Sequence, residues 1–268
     1  MRVGIIGTGQ HAAARARAVE ALPGVTLKGG LEAAPVGALL EQIDAAFVTV
    51  PTAEHFRLAE AATKRGVHVF LEWPPATSIR ECQAMIGLSE EARVEVGVSR
   101  PLRFHPVFEQ IPTAWRASLM VLRRRVPASG EAAWPRWLAD AIDLCCALSQ
   151  SSSVQRIDAE AVRAAAAWPD AIAFALRFHS GAYAQVSIRR TTGPARSAVY
   201  AAGGGFAVEA DLEENDAGTA AYESAALPVA RETQAFLHAL AGQQPVPVSI
   251  LDGLHTMRLA ERLMEKLR

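Results

Sequence analysis

Ten residues near the N-terminus carry the most specific chemistry in the chain. Val3-Gly4-Ile5-Ile6-Gly7-Thr8-Gly9-Gln10-His11-Ala12 ends an apolar run with glycines at 7 and 9 and a small residue at 12. This is the G-x-G-x-x-G/A pattern, in which a strand turns into a helix around a pyrophosphate. Gly7 permits the tight turn, Gly9 lets the backbone approach the phosphates, and Ala12 lets helix lie close to strand. Backbone N–H groups of Gln10 and His11 then face an anion from a helix N-terminus. The pattern also needs an acid about twenty residues on, to accept hydrogen bonds from a ribose. Glu32 stands there, followed by Ala33 and Ala34. A 2′-phosphate would meet a carboxylate and no cation, which favours NAD over NADP. The competing reading is a sheet of the same type that binds nothing.

Around this motif, strand-like and helix-like segments alternate. Residues 2–6, 25–31, 45–50, 67–71 and 94–98 read as strands. Residues 11–22, 35–42, 54–65 and 78–92 read as helices, the last capped by Thr77 or Ser78. Such alternation with continuous apolar strands predicts a parallel sheet covered on both faces. The second half differs. Residues 118–126 read as a strand and 134–148 as a helix. Residues 171–190 form a hairpin turning at His179-Ser180-Gly181, and residues 197–202 and 206–210 extend the sheet. Helices over 231–240 and 251–267 close the chain. The expected fold is α/β: a trimmed Rossmann parallel sheet over 1–112, then an α+β open-sheet domain over 113–268.

Composition narrows the function. The chain has 268 residues, half of them apolar, and a formal net charge of −1. It has enough apolar residues for a core and no basic block for nucleic acid. No apolar run approaches the length of a membrane span, and residues 1–6 are too short for a signal-peptide core, so a cytoplasmic protein is expected. Cys82, Cys145 and Cys146 have neither a disulfide pattern nor metal-ligand spacing, and no histidine pair has zinc spacing, so no metal is expected. They read as small buried hydrophobes.

Asp44-Ala45-Ala46-Phe47-Val48-Thr49-Val50-Pro51-Thr52-Ala53-Glu54-His55 and Gly66-Val67-His68-Val69-Phe70-Leu71-Glu72-Trp73-Pro74 resemble the glucose-fructose oxidoreductase / inositol dehydrogenase / MocA family. Arg103-Phe104-His105-Pro106, the 171–190 hairpin and Leu251-Asp252-Gly253-Leu254 extend the resemblance weakly. It implies that Val50, Pro51, Thr52 and His55 line a cofactor cleft and that Glu72, Trp73 and Pro74 sit at the nicotinamide. Three departures stand out. Where the family has Glu-Lys-Pro, this chain has Trp73, and its only lysines are Lys28, Lys64 and Lys266. Where the family has Asp and His four residues apart on a second-domain helix, it has Arg136 and Asp140. Only residues 33–43 separate Glu32 from the next strand, so an extra strand and helix usual in the family are missing.

Indole cannot exchange a proton at neutral pH, but it stacks and excludes water. Trp73 therefore suits a flat or apolar partner, as in the biliverdin reductases, similar relatives that carry an aromatic residue there; its other reading is packing. His105 reads as a spare proton donor or as a packing residue at a helix start. Arg136 and Asp140 read as a simple ion pair or as a catalytic dyad. Trp73, His105 and Asp140 are thus the candidates nearest the chemistry. The expected function is hydride transfer between a nicotinamide cofactor and a small or conjugated substrate, without the usual lysine and histidine. The alternative is a silent member that binds a dinucleotide or ligand as sensor or subunit. An oligomer, a dimer, is expected through the second sheet, whose hairpin shows Ala173, Ala175, Ala182 and Ala184 on one face.

Overall fold

The structure, a computed structural model, describes residues 1–30, 36–127, 134–163, 169–193, 196–212 and 219–267. Glu32 lies outside the described residues. So do Ala33 and Ala34.

The chain divides into two compact units, residues 1–101 with 226–255 and residues 102–225 with 256–268. The first is built on five strands, β1 (Arg2–Ile6), β2 (Thr26–Gly30), β3 (Ala45–Val48), β4 (His68–Leu71) and β5 (Val96–Val98). They form one sheet in the order β2-β1-β3-β4-β5, and every pairing is parallel. All four residues of β3 are buried, as are Val3, Gly4, Ile5 and Ile6 of β1, which is the signature of strands covered on both faces. The connections are α1 (Gln10–Glu20), the five-residue α2 (Val36–Leu40), α3 (His55–Thr63) and α4 (Ile79–Ala92). Ser78 caps α4, its Oγ accepting the Glu81 N–H at 3.2 Å, while Glu81 accepts the Thr77 N–H at 2.8 Å.

A single cut at residue 112 does not describe these units, because a later stretch returns to the first sheet. Phe236, from α6 (Thr219–Ala241), packs edge-on against both Phe47 and Phe70, with ring centroids 5.7 and 5.0 Å apart. Leu237, Ala239 and Val246 join the same core. The Val98 N–H donates to the Val248 carbonyl at 3.0 Å, giving β5 a partner on its outer edge.

In the second unit, β6 (Leu119–Pro127), β7 (Val154–Val162), β8 (Ala171–Phe178), β9 (Tyr183–Thr191), β10 (Arg196–Gly203) and β11 (Phe206–Leu212) pair in the order β11-β10-β6-β9-β8-β7. Only β6 and β9 pair in parallel. Helix α5 (Trp134–Ser149) and the later turns of α7 (Ile250–Lys266) supply Leu138, Ile142, Leu259 and Leu263 to this core. Ile172, Phe174, Leu176 and Phe178 alternate inward along β8. Ala182 and Ala184 are buried with them, because Ala184 pairs directly with Leu176. The opposite face of the hairpin therefore carries Ala173 and Ala175 with Arg177, Gln185 and Ser187, and is less alanine-rich than the sequence suggested. All three cysteines are reduced and buried, and burial pushes the Cys82 thiol up to about 12.

Candidate functional site: the carboxyl edge of the parallel sheet

In an open parallel sheet, ligands bind beyond the carboxyl ends of the strands, where the strand order reverses. Here the order reverses between β1 and β3. Gly7 follows β1 with φ +137°, and a Cβ there would come within 2.3 Å of the Thr49 Oγ1. Glycine is thus required by conformation and by contact with the neighbouring strand. Gly9 has φ +92°, and a Cβ would meet nothing within 4 Å. It precedes α1 with no side chain capping the helix. The N–H groups of the first turn are therefore left for an outside acceptor. Thr8, Gln10 and His11 are exposed beside it. This is an open cradle suited to a pyrophosphate.

Next along the edge, Val50, Pro51 and Thr52 leave β3 and lead through a 3₁₀ turn into α3. His55 is 1% exposed, and its Nε2–H donates to the Val50 carbonyl at 2.9 Å. Its role in the structure is to hold this turn, with Val50 and Thr52 half-buried and Pro51 exposed above it. Beyond β4 come Glu72 and a cis Trp73–Pro74 bond. Glu72 and Trp73 are half-buried and Pro74 is exposed.

Arg15 lies beneath this edge and was not among the sequence candidates. It is fully buried, yet it donates to Glu72 Oε1 at 3.0 Å, Glu232 Oε2 at 2.6 Å, Ser99 Oγ at 2.8 Å, Thr233 Oγ1 at 2.9 Å and the Val229 carbonyl at 3.2 Å. One guanidinium thus joins the glycine-turn helix, the Glu72 turn and α6. Burial alone would raise the Glu72 carboxyl, but Arg15 and His11, 3.8 Å away, bring it below its ordinary value. Glu232 is pushed upward by burial in spite of Arg15. The Arg100 N–H also donates to Glu232. The guanidinium of Arg100, a residue only 2% exposed, stacks on Trp73, its carbon 3.3 Å from the ring centroid. The sequence did hold a signal for Arg15. It occupies the inward stripe of α1 with Ala12, Ala18 and Val19, where a charge needs a buried partner.

The remaining candidates belong to the second unit. His105 caps a short 3₁₀ turn, its Nδ1 accepting the Val107 N–H at 3.3 Å, with its ring edge-on to Phe108. The packing reading of His105 fits this geometry. Asp140 pairs with Arg124 of β6 at 3.4 Å, not with Arg136, which is exposed. The expected ion pair is therefore replaced by one that crosses from helix to sheet. Arg124 occupies an inward position of β6, opposite Ser197. A second such pair, Arg103 with the buried Asp143 at 2.7 and 2.8 Å, escaped the sequence reading, since the partners are forty residues apart. Neither of the first unit's two lysines stands at the carboxyl edge. Lys28 is on β2, Lys64 pairs with Glu60 at 2.9 Å, and Lys266 ends α7.

A parallel sheet with a glycine-lined first turn and a bare helix N-terminus defines a Rossmann-type nucleotide domain. Part of the chain is similar to the glucose-fructose oxidoreductase / inositol dehydrogenase / MocA family. Residues 33–100 match this family, described as an oxidoreductase family with an NAD-binding Rossmann fold. UDP-N-acetylglucosamine 3-dehydrogenase of Acidithiobacillus ferrooxidans is 31% identical over 129 residues, covering 42% of this chain and 41% of that protein. The chain thus matches less than half the length of that relative. A solved structure of UDP-N-acetylglucosamine 3-dehydrogenase from the same organism superposes with a TM-score of 0.79 at 20% identity, over 100% of this chain and 97% of that one. Scyllo-inositol dehydrogenase of Lactobacillus casei, solved with NAD(H) and scyllo-inositol, gives a TM-score of 0.77 at 15% identity, over 100% and 96% of the two chains. At these identities the superpositions establish the fold.

Proposed function

We propose that this chain binds NAD(H) along the carboxyl edge of its parallel sheet and uses it to transfer hydride to or from a small or conjugated substrate. The observation that carries the reading is the open cradle at Gly9, with an uncapped α1 behind it. Gly7, Thr8, Gly9, Gln10 and His11 would hold the pyrophosphate through backbone N–H groups. Glu32 would take the adenosine ribose, and the absence of a cation at Ala33 and Ala34 favours NAD(H) over NADP(H). The nicotinamide half would then extend over the ends of β3 and β4, onto Val50, Pro51, Thr52, Glu72, Trp73 and Pro74. His55 would support this surface from below. When bound, the cofactor supplies the hydride donor or acceptor.

What the chain itself supplies here is orientation and exclusion of water rather than a lysine proton. Trp73 offers a flat apolar surface in place of that lysine, and Arg15 fixes Glu72 next to it. His105 and Asp140 remain the candidates for moving a proton, although each is already engaged by Val107 or Arg124. Calorimetric titration with NADH and NADPH tests the first step. NADH should bind more tightly, and Glu32→Ala should narrow the difference; tighter NADPH binding would overturn the assignment. Turnover of NADH with a panel of carbonyls, cyclic sugars and conjugated tetrapyrroles tests the second. Binding without turnover of any of them would favour the silent, ligand-sensing member.

A further inference from the structure

The cradle at Gly9 has a carboxylate at its side. Glu72 Oε2 lies 3.8 Å from Nδ1 of His11, the second residue of α1, while Oε1 accepts the Arg15 Nε–H at 3.0 Å. His11 and Arg15 are four apart on one face of the helix, so a single carboxylate bridges two basic side chains. The two ends of this bridge differ. Arg15 is fully buried and permanently charged, whereas the His11 side chain is 52% exposed and carries charge only when protonated. Among the described residues, Glu72 is the one polar partner of the His11 ring. The other titratable groups of this edge are engaged elsewhere. Glu232 of α6 takes Arg15 and the Arg100 N–H, and His55, from the turn beyond β3, donates to the Val50 carbonyl. An acid beside a site for an anion opposes binding unless a cation stands next to both.

We propose that the side chain of His11, in its protonated form, is itself a ligand of the dinucleotide pyrophosphate, so that cofactor binding takes up a proton. The inference rests on the NAD(H) reading above and adds a titrating side chain to the backbone N–H groups of the cradle. Because the imidazole is rigid, Nδ1 facing Glu72 leaves Nε2 turned away from that carboxylate. A protonated ring has two N–H donors, one for Glu72 and one for a phosphate oxygen. A neutral ring has one donor and one lone pair, and the lone pair would face one of the two anions. Glu72 stays ionised beside it, since Arg15 and His11 outweigh the burial that would raise its carboxyl. A bound diphosphate therefore favours the charged ring, and by reciprocity the charged ring favours the diphosphate. The diphosphate remains ionised throughout the range in which histidines change charge, so the slope with pH belongs to the protein. A unit charge in contact with one phosphate, at about 5 Å between centres, changes affinity roughly fourfold at a dielectric constant of about 80, and more at lower values.

The test is calorimetry with ADP-ribose and NAD⁺ on the wild-type chain, His11→Gln and His11→Lys, between about pH 8.5 and about pH 5.5. Each titration is run in two buffers of different ionisation enthalpy, which reports the protons taken up on binding. Wild-type affinity for both ligands should rise roughly fourfold or more as pH falls, with proton uptake in the middle of the range. His11→Gln should bind as the wild type does at the alkaline end, gain nothing on acidification and take up no proton. His11→Lys keeps a cation at every pH, so it should bind more tightly than the wild type at the alkaline end and lose the pH dependence. ADP-ribose binding without proton uptake in the wild type, or with uptake that persists in His11→Gln, would overturn this inference and leave the nucleotide reading intact. Failure of both ligands to bind at any pH would sink the nucleotide reading and this inference with it.

Discussion

Replacing Arg15 with methionine should destabilise the protein far more than its place in an alanine-rich helix suggests. The side chain is fully buried and makes five hydrogen bonds, two of them to carboxylates. Methionine matches much of its length. Its thioether can rest near Phe70, whose ring lies 4.6 Å from the guanidinium carbon, so the packing loss is modest. The damage is electrostatic. Glu72 is 14% exposed at its side chain and can recruit water, but Glu232 is 1% exposed and cannot. It would keep only the Arg100 N–H and the Ser99 hydroxyl, at 3.1 Å. Removing one partner of a buried ion pair costs about 3–5 kcal/mol. For a chain of this size that is a fall of about 6–20 °C in melting temperature. Adding Glu232→Gln should recover more than half of the loss, because an amide carries no charge to strand. The pH dependence has a definite sign. A carboxyl whose folded pKa lies above its unfolded value binds more protons in the folded state, so its contribution is lost as pH rises through the folded value. Without Arg15 that pKa rises further, and the variant's deficit should grow from about pH 5 to about pH 8. Urea unfolding and thermal melts across this range measure all three effects. A loss under about 1 kcal/mol, the scale of an exposed pair, or a double variant no better than the single one would refute the reasoning.

His68 gives the opposite slope: its Nδ1 accepts the Glu95 N–H at 2.9 Å, and burial holds its pKa below the ordinary value despite Glu95 and Asp44. The unfolded chain then binds the extra proton, so stability should fall as pH drops through about 6.5, and His68→Gln should flatten that part of the profile; an unchanged slope would count against it. NADH should quench tryptophan fluorescence, and Trp73→Phe should remove most of the quench with little loss of affinity, since Trp115, Trp134 and Trp137 belong to the other unit; an undiminished quench would place Trp73 away from the cofactor. The exposed face of the six-stranded sheet, with Leu119 42% and Tyr200 37% exposed, should join two copies of the chain. Sedimentation equilibrium should show a dimer that Ala175→Arg weakens, and a wild-type monomer at micromolar concentration would refute this.

The first sheet was legible because its strands are short apolar runs between turn residues, and Ser78, Gly7 and Gly9 act through local geometry alone. Strand β7 was not. Only Val154 and Ile157 of its nine residues are buried, it lies at a sheet edge, and its pairing slips between Val154 and Arg156. An edge strand so polar leaves no alternation to read. The alanines of the hairpin misled for a related reason. A small side chain does not declare its face, and the register that pairs Ala184 with Leu176 was needed to assign it. The glycine turn, the Glu72 turn and the absence of a lysine beside it were plain in the sequence. Arg15, Arg100 and Arg124 were not, because a buried arginine is identified by its partners, and Glu232, Trp73 and Asp140 come from remote parts of the chain.

Phe236 and Glu232 bear on how the protein is made. Val3, Phe47 and Phe70 share their core with Phe236, and Arg15 finds a fully buried counter-charge only in Glu232. A ribosome finishes residue 101 long before it reaches either. It must first make residues 102–225, which at about 5–20 residues per second takes on the order of ten seconds. Throughout that interval the nascent parallel sheet has an aromatic surface uncovered and an arginine short of a partner. Exposed apolar surface of that kind makes a folding intermediate prone to aggregate, and here it is covered only when the chain comes back to it.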